Sequence, residues 1–202
     1  MKKTTKALLM AVCAIALVVA SVMGTLAYLT AQDEVTNTFT AGQVKMTMDE
    51  AKTDEYGVET DAGVTRVDAN NYILIPAHEY VKDPIVHVDP VSEDSYVYVK
   101  IENNIAGAIE GGAAAIIDQI TANGWAALPE VANVYYQTYA KNAVDKELEV
   151  FEGFTVQSAL DNDDLDDYEG KTIVVTAYAI QKDGFDTAKL AWDALQAQIT
   201  AP

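Results

Sequence analysis

The sequence predicts an all-β domain, a jelly roll or β-sandwich with one or two helical insertions and a C-terminal helix. Three observations carry this expectation. Apolar and polar residues alternate along most runs after residue 42, the signature of half-buried strands. Turn formers separate those runs, as at Gly63, Asp83-Pro84 and Asp89-Pro90. The length left after an N-terminal address segment suits one domain of joined strands.

Taken in chain order, Val44, Met46 and Met48 alternate with Lys45 and Thr47 and form the first expected strand. The polar stretch 49–71 reads as a long hairpin connection. Short strands are expected at 72–75, 85–88, 133–139 and 151–156. Val97, Val99 and Ile101 alternate with Tyr98 and Lys100. In 171–181, Ile173, Val175, Ala177 and Ala179 share one face, and Val174, Thr176, Tyr178 and Ile180 share the other. Both faces are largely apolar, which predicts a central strand. A helix is expected at 113–122, carrying Ile116, Ile117 and Ile120 and stopped by Asn123-Gly124. Phe185, Ala188, Trp192, Leu195 and Ile199 form one helical stripe, with Asp183 or Asp186 as its cap. Such a stripe packs on a sheet.

The N-terminus is an address. Lys2, Lys3 and Lys6 precede a run without charge from Ala7 to the residue before Asp33. Basic, apolar and small-residue regions in that order describe a secretory signal peptide. Thr25 and Ala27 occupy the small-residue positions, so cleavage is expected between Ala27 and Tyr28. The organisation is then 1–27 signal peptide, 28–41 N-terminal segment and 42–202 domain. The alternative is a retained anchor, because the 26 uncharged residues 7–32 exceed the ~20 that span a bilayer. The membrane is met only through residues 7–29 before cleavage, and the domain is secreted or displayed at the cell surface.

Composition excludes several chemistries. Cys13 is the only cysteine and leaves with the signal peptide. The remaining chain has no disulfide, no thiol nucleophile and no cysteine metal ligand. Cleavage also removes three lysines and no acid, taking the formal charge from −18 to −21. So acidic a surface repels phosphate backbones, and no nucleic-acid partner is expected. Solubility is the simpler reading of that charge; cation-assisted assembly is the sharper one.

His78-Glu79 lacks the second histidine of a zinc-protease helix, since position 82 is Lys. His87 lies on an expected strand. Nucleophile elbow, phosphate loop and dinucleotide fingerprint are absent from the sequence. The acid run 161–170 is expected to be a solvated loop. Asp161, Asp163, Asp166 and Glu169 are its weak calcium candidates, without the EF-hand spacing. Otherwise no cofactor is expected. A lysine–asparagine–acid isopeptide triad, as in pilins, would need burial that Lys100 and its strand neighbours do not reveal in sequence.

Three blocks of residues resemble one family. Gly24-Thr-Leu-Ala-Tyr-Leu-Thr followed by Asp33-Glu-Val-Thr-Asn-Thr-Phe-Thr-Ala-Gly-Gln-Val44 is similar to the start of TasA/camelysin proteins. Ile75-Pro76-Ala-His-Glu-Tyr-Val-Lys82-Asp83-Pro84, then Ser95-Tyr-Val-Tyr-Val-Lys-Ile101, resembles the family's central strands. Residues 177–192 resemble its last strand and closing helix. Ala77 stands where the family usually has glycine, and Tyr98 where a basic residue is common at a surface contact. The resemblance implies a jelly-roll subunit of a biofilm-matrix or surface fibre, processed by a dedicated signal peptidase (SipW). Some relatives have been called metalloproteases, and an extracellular peptidase is the enzyme-class alternative. The resemblance also implies self-association by N-terminal strand donation. Residues 28–41 hold good strand formers, with Val35, Asn37, Phe39 and Ala41 on one face of such a strand. The expected partners are copies of the chain and, during export, signal peptidase.

N-terminal sequencing of secreted protein should read from Tyr28. Ala27 replaced by a bulky residue should leave the precursor uncleaved, because the peptidase pocket admits small side chains; a mature start upstream of Gly24 would refute this assignment.

Overall fold

The computed structural model describes Ile15 and residues 44–62, 64–143 and 147–200. Every strand pairing among these residues is antiparallel. The strands are β1 (Met46–Ala51), β2 (Arg66–Val67), β3 (Glu79–Val81), β4 (Ile85–Val88), β5 (Ser95–Asn103), β6 (Ala126–Ala127), β7 (Val134–Tyr139), β8 (Glu147–Glu149), β9 (Gly153–Thr155) and β10 (Ile173–Gln181). Three α-helices accompany them: α1 (Ala113–Ala122), α2 (Asn162–Asp166) and α3 (Ala188–Ile199). One sheet has the order β2-β1-β4-β8, a second β10-β5-β7-β6, and β3 pairs with β9 in a two-stranded ribbon. The fold is therefore β-rich and antiparallel, with few helices.

Period 2 on β5 organises the packing. Val97, Val99 and Ile101 point to a core shared with Val86 and Val88 of β4, Ile116 and Ile120 of α1, Tyr80 of β3, Phe154 of β9, and Trp125. Tyr96 and Tyr98 point the other way, into a second cluster with Val134, Ile180 and the buried stripe of α3. Tyr98 is fully buried. Its hydroxyl donates to the Ala188 carbonyl at 2.8 Å, and its ring lies 5.1 Å from Trp192. Burial pushes that hydroxyl's pKa up.

The expected elements form with informative exceptions. Helix α1 spans the expected residues and ends at Asn123, but Ile117 faces outward. In α3, Ala188, Ala191, Trp192 and Leu195 are buried, whereas Ile199 is 53% exposed, so the stripe ends one turn early. Its cap is Thr187, not Asp183 or Asp186: the hydroxyl accepts from Leu190 N at 3.2 Å. Residues 72–75 form no strand. Ile75 N donates to the Tyr80 hydroxyl, which itself donates to Ile73 O, so one side chain satisfies backbone groups that a ladder would otherwise take. The connection after β1 does begin as a hairpin, with Glu50 opposite Val67.

Strand β10 is not central. It pairs with β5 along nine positions, from Ile173 opposite Asn103 to Gln181 opposite Ser95, and ends the sheet. Both its faces are apolar because layers lie over each: Ile173, Val175, Ala177 and Ala179 pack on the first cluster, Tyr178 and Ile180 on the second. Apolarity on two faces reports what covers the sheet, not a strand's place within it.

Tyr80 needs two glycines beside it. A Cβ on Gly153 would meet Tyr80 O at 2.2 Å, and one on Gly57 would meet the ring at 2.6 Å. Between them the Tyr80 and Phe154 rings stack at 5.1 Å. Ala77 adopts φ +60°, the left-handed conformation that glycine enters without strain.

Trp192→Ala should destabilise the protein by roughly 3–5 kcal/mol, since the ring is buried against Tyr98 and Tyr178. Chemical denaturation checks this, and a loss below about 1 kcal/mol would contradict the packing of α3.

Candidate assembly surface

The outer edge of β10 has no strand partner among the described residues. An edge strand presents unpaired N–H and C=O groups that a further strand can use. Proteins usually blunt such edges with lysine, proline or inward charge. The sequence Ile-Val-Val-Thr-Ala-Tyr-Ala-Ile-Gln of β10 has none of these. In a chain of formal charge −18, nine consecutive uncharged residues on a sheet edge are a distinctive surface.

An open groove of ≈ 680 Å³ is lined by Met46 and Thr47 of β1, Val88 of β4 and Ala179 of β10. Beyond Met46–Asp49 of β1, which pair with β4 on one side, β2 takes up only Glu50 and Ala51 on the other. Among the described residues Met46–Asp49 have no strand on that other side, and polar Lys45, Thr47, His87 and Asp89 line the groove with the apolar residues.

A polar network closes the far end of β1. Parity puts Glu50 on the same strand face as Met46 and Met48, and its carboxylate is buried, 4% exposed. A charge so placed must be paired. Lys82 Nζ donates to Oε2 at 2.6 Å; the Asn70 backbone N and Nδ2 both donate to Oε1 at 2.9 Å. Asn70 is held further: Nδ2 donates to Ala51 O at 2.8 Å and Oδ1 accepts from Thr53 N at 3.0 Å. Arg66 donates to both Asp49 and Asp83, and Asp83 accepts from Ala51 N at 2.7 Å. His87 Nε2 donates to Asp49 at 2.9 Å. Burial opposes ionisation of Asp49, but the hydrogen bonds of His87 and Arg66 outweigh it and hold its pKa below the usual carboxylate value. Burial first, then the Glu50 charge, push the Tyr72 hydroxyl up.

The residues expected from sequence fall in three places. Thr25, Ala27, Tyr28, Val35, Asn37, Phe39, Ala41 and the span 7–29 lie outside the described residues. The acid run is not a loop: α2 forms within it, with a reciprocal cap in which Asp161 accepts from Asp164 N and Asp164 accepts from Asp161 N. Asp161, Asp163, Asp166 and Glu169 are exposed, and among the described residues no three His, Cys, Asp or Glu side chains are grouped to hold a metal ion. His78 Nε2 bonds Tyr56 O at 2.8 Å and its ring sits edge-on to Tyr80, while His87 belongs to the Asp49 network. Lys100 is exposed and bound to Glu102, so it heads no buried triad. Sequence reading missed Glu50, Asn70 and Arg66. The available signal was Glu50 continuing the alternation of Val44, Met46 and Met48: an acid on a core-facing parity announces a partner.

Among the described residues no helix is long and apolar enough to cross a membrane. Compared with protein-family models, curated proteins and solved structures, the chain matches none.

Asp49 makes a pH prediction. A carboxylate with a depressed folded-state pKa adds stability above its unfolded value, 3.8, and loses it as pH falls through the folded value. Asp49→Asn should therefore lower Tm near neutrality and flatten the fall of Tm on acidification below that value. An acid limb as steep as wild type would remove Asp49 from the pairing.

Proposed function

We propose that this chain is an exported, non-enzymatic subunit of an extracellular or biofilm-matrix fibre, built on a jelly-roll domain and joined by N-terminal strand donation. The observation that supports this reading is the uncharged edge of β10, without a strand partner among the described residues, together with a groove lined in part by Ala179. A strand added there gains main-chain hydrogen bonds, and pockets two residues apart select alternate side chains. Residues 28–41 supply such a strand, with Val35 and Phe39 as anchors and Asn37 and Ala41 on the same face. Export frees this segment when the bond after Ala27 is cut. Donated to a neighbour, head to tail, it makes a contact that does not close and so propagates. The resemblance of residues 24–44, 75–101 and 177–192 to TasA/camelysin proteins supports the same role. No cofactor is part of it; calcium at Asp161, Asp163, Asp166 and Glu169 would enter only as a weak stabiliser.

The uncharged run 7–32 favours a second reading, a membrane-tethered monomeric surface domain. Size-exclusion chromatography and electron microscopy of the mature protein separate fibre from monomer, and a chelator-sensitive protease assay tests the peptidase alternative. Deletion of 28–41 should yield a soluble monomer that forms no fibres, and Phe39→Asp should weaken assembly more than it lowers Tm. Polymerisation of the deletion variant at the wild-type level would sink strand donation; a monomer in both forms would mean that 28–41 pairs within its own chain.

A further inference from the structure

We infer that Lys82 and Asn70 become joined by an intramolecular isopeptide bond, with Glu50 as its proton-transfer group. Amine and carboxamide are bound to the two oxygens of one buried carboxylate: Lys82 Nζ on Oε2 at 2.6 Å, Asn70 Nδ2 on Oε1 at 2.9 Å. That confines nucleophile and electrophile to one small site. The Lys82 and Glu50 side chains are 11% and 5% exposed. Water, the competing nucleophile, is largely kept out.

Each atom of the reaction has a partner. Glu50 Oε2 takes one proton from the Lys82 ammonium, leaving a neutral amine and a carboxylic acid. Nζ attacks Asn70 Cγ, and the backbone N–H of Thr53, already 3.0 Å from Oδ1, stabilises the charge that develops on that oxygen. Glu50 gives its proton to Nδ2 and receives one from Nζ. The Cγ–Nδ2 bond then breaks and ammonia departs. The products are a secondary amide, ammonia and an uncharged Glu50; there is no change of oxidation state and no co-reactant. A buried ion pair is thereby replaced by uncharged groups, which suits the site. The bond would close the chain between residues 70 and 82, tying the connection after β1 to the end of β3. A chain whose only cysteine is Cys13 would have there the covalent restraint that a disulfide supplies elsewhere. The inference does not depend on fibre assembly, since a monomer would carry the bond equally.

Peptide mapping of the folded, full-length chain tests it. Trypsin cuts after Arg66, Lys82 and Lys100, and acylation of Lys82 blocks the middle cut. The expected product is a single 67–100 peptide lighter than its sequence by one ammonia, with no backbone fragments between 70 and 82 on fragmentation. Glu50→Gln, shown to fold by circular dichroism, should give separate 67–82 and 83–100 peptides of unmodified mass and a lower Tm. Unmodified 67–82 and 83–100 peptides from wild-type protein would overturn the bond. So would ammonia loss with Lys82 still cleavable, because that marks a succinimide at Asn70. This readout on wild type stands whether or not the variant folds, and a Glu50→Gln protein that still cross-links would remove Glu50 from the reaction.

Discussion

The double burial of β5 is the constraint on which the rest depends. Val97, Val99 and Ile101 enter one core and Tyr96 and Tyr98 another, so this part of the strand must be covered by β4, α1 and the β3–β9 ribbon on one side and by α3 on the other. Neither layer is dispensable. Without α3, Tyr96 and Tyr98 would present large rings to water, and the Tyr98 hydroxyl would lose the Ala188 carbonyl that it binds. Hydrophobic burial, at ~25 cal/mol per Å², thus orders the helix that carries little charge on its inner face, and Thr187 then sets where that helix starts.

The same layering explains the open edge. Covering both faces of a sheet does nothing for its end strand: β10 has apolar contacts above and below, yet its outer backbone groups find no strand among the described residues. An all-apolar strand is ordinarily placed inside a sheet, where both its edges are paired. Here the apolar pattern and the open edge coincide, and the combination is costly for a solitary molecule because it invites pairing with any free strand. In the proposed fibre subunit that edge would serve as the joint. The charge of −18 disfavours unspecific contact between copies through mutual repulsion.

How much was legible in the sequence depends on the range of the interaction concerned. Helix α1, the faces of β5 and β10, and the strand 85–88 follow from local periodicity, and local periodicity is what the folded chain obeys there. The edge position of β10 was not legible, because period 2 records which faces are covered and is blind to lateral neighbours. The failure at 72–75 has a different cause: apolar, strand-like residues are held in irregular backbone by the hydroxyl of Tyr80, and a single side chain 5 and 7 residues from the groups it binds carries no periodic signal. Ile199 and the cap at Thr187 show the usual uncertainty of helix ends, where one side-chain hydrogen bond decides the boundary.

Glu50 is the sharpest case. Its position on β1 was readable, since it continues the parity of Met46 and Met48, but its partners come from 20 and 32 residues further along. Only the fold brings them together. Removing either partner alone would leave a buried carboxylate under-satisfied, which is far worse than never having buried it. A simple ion pair in this place adds little net stability, because desolvation consumes most of the Coulomb gain. Its presence in a strand otherwise suited to a methionine or valine is thus not explained by stability alone. Holding an amide carbonyl, polarised by the Thr53 N–H, next to an amine on the same carboxylate would give that presence a chemical reason. Stability alone would have been served more simply by an apolar residue at position 50.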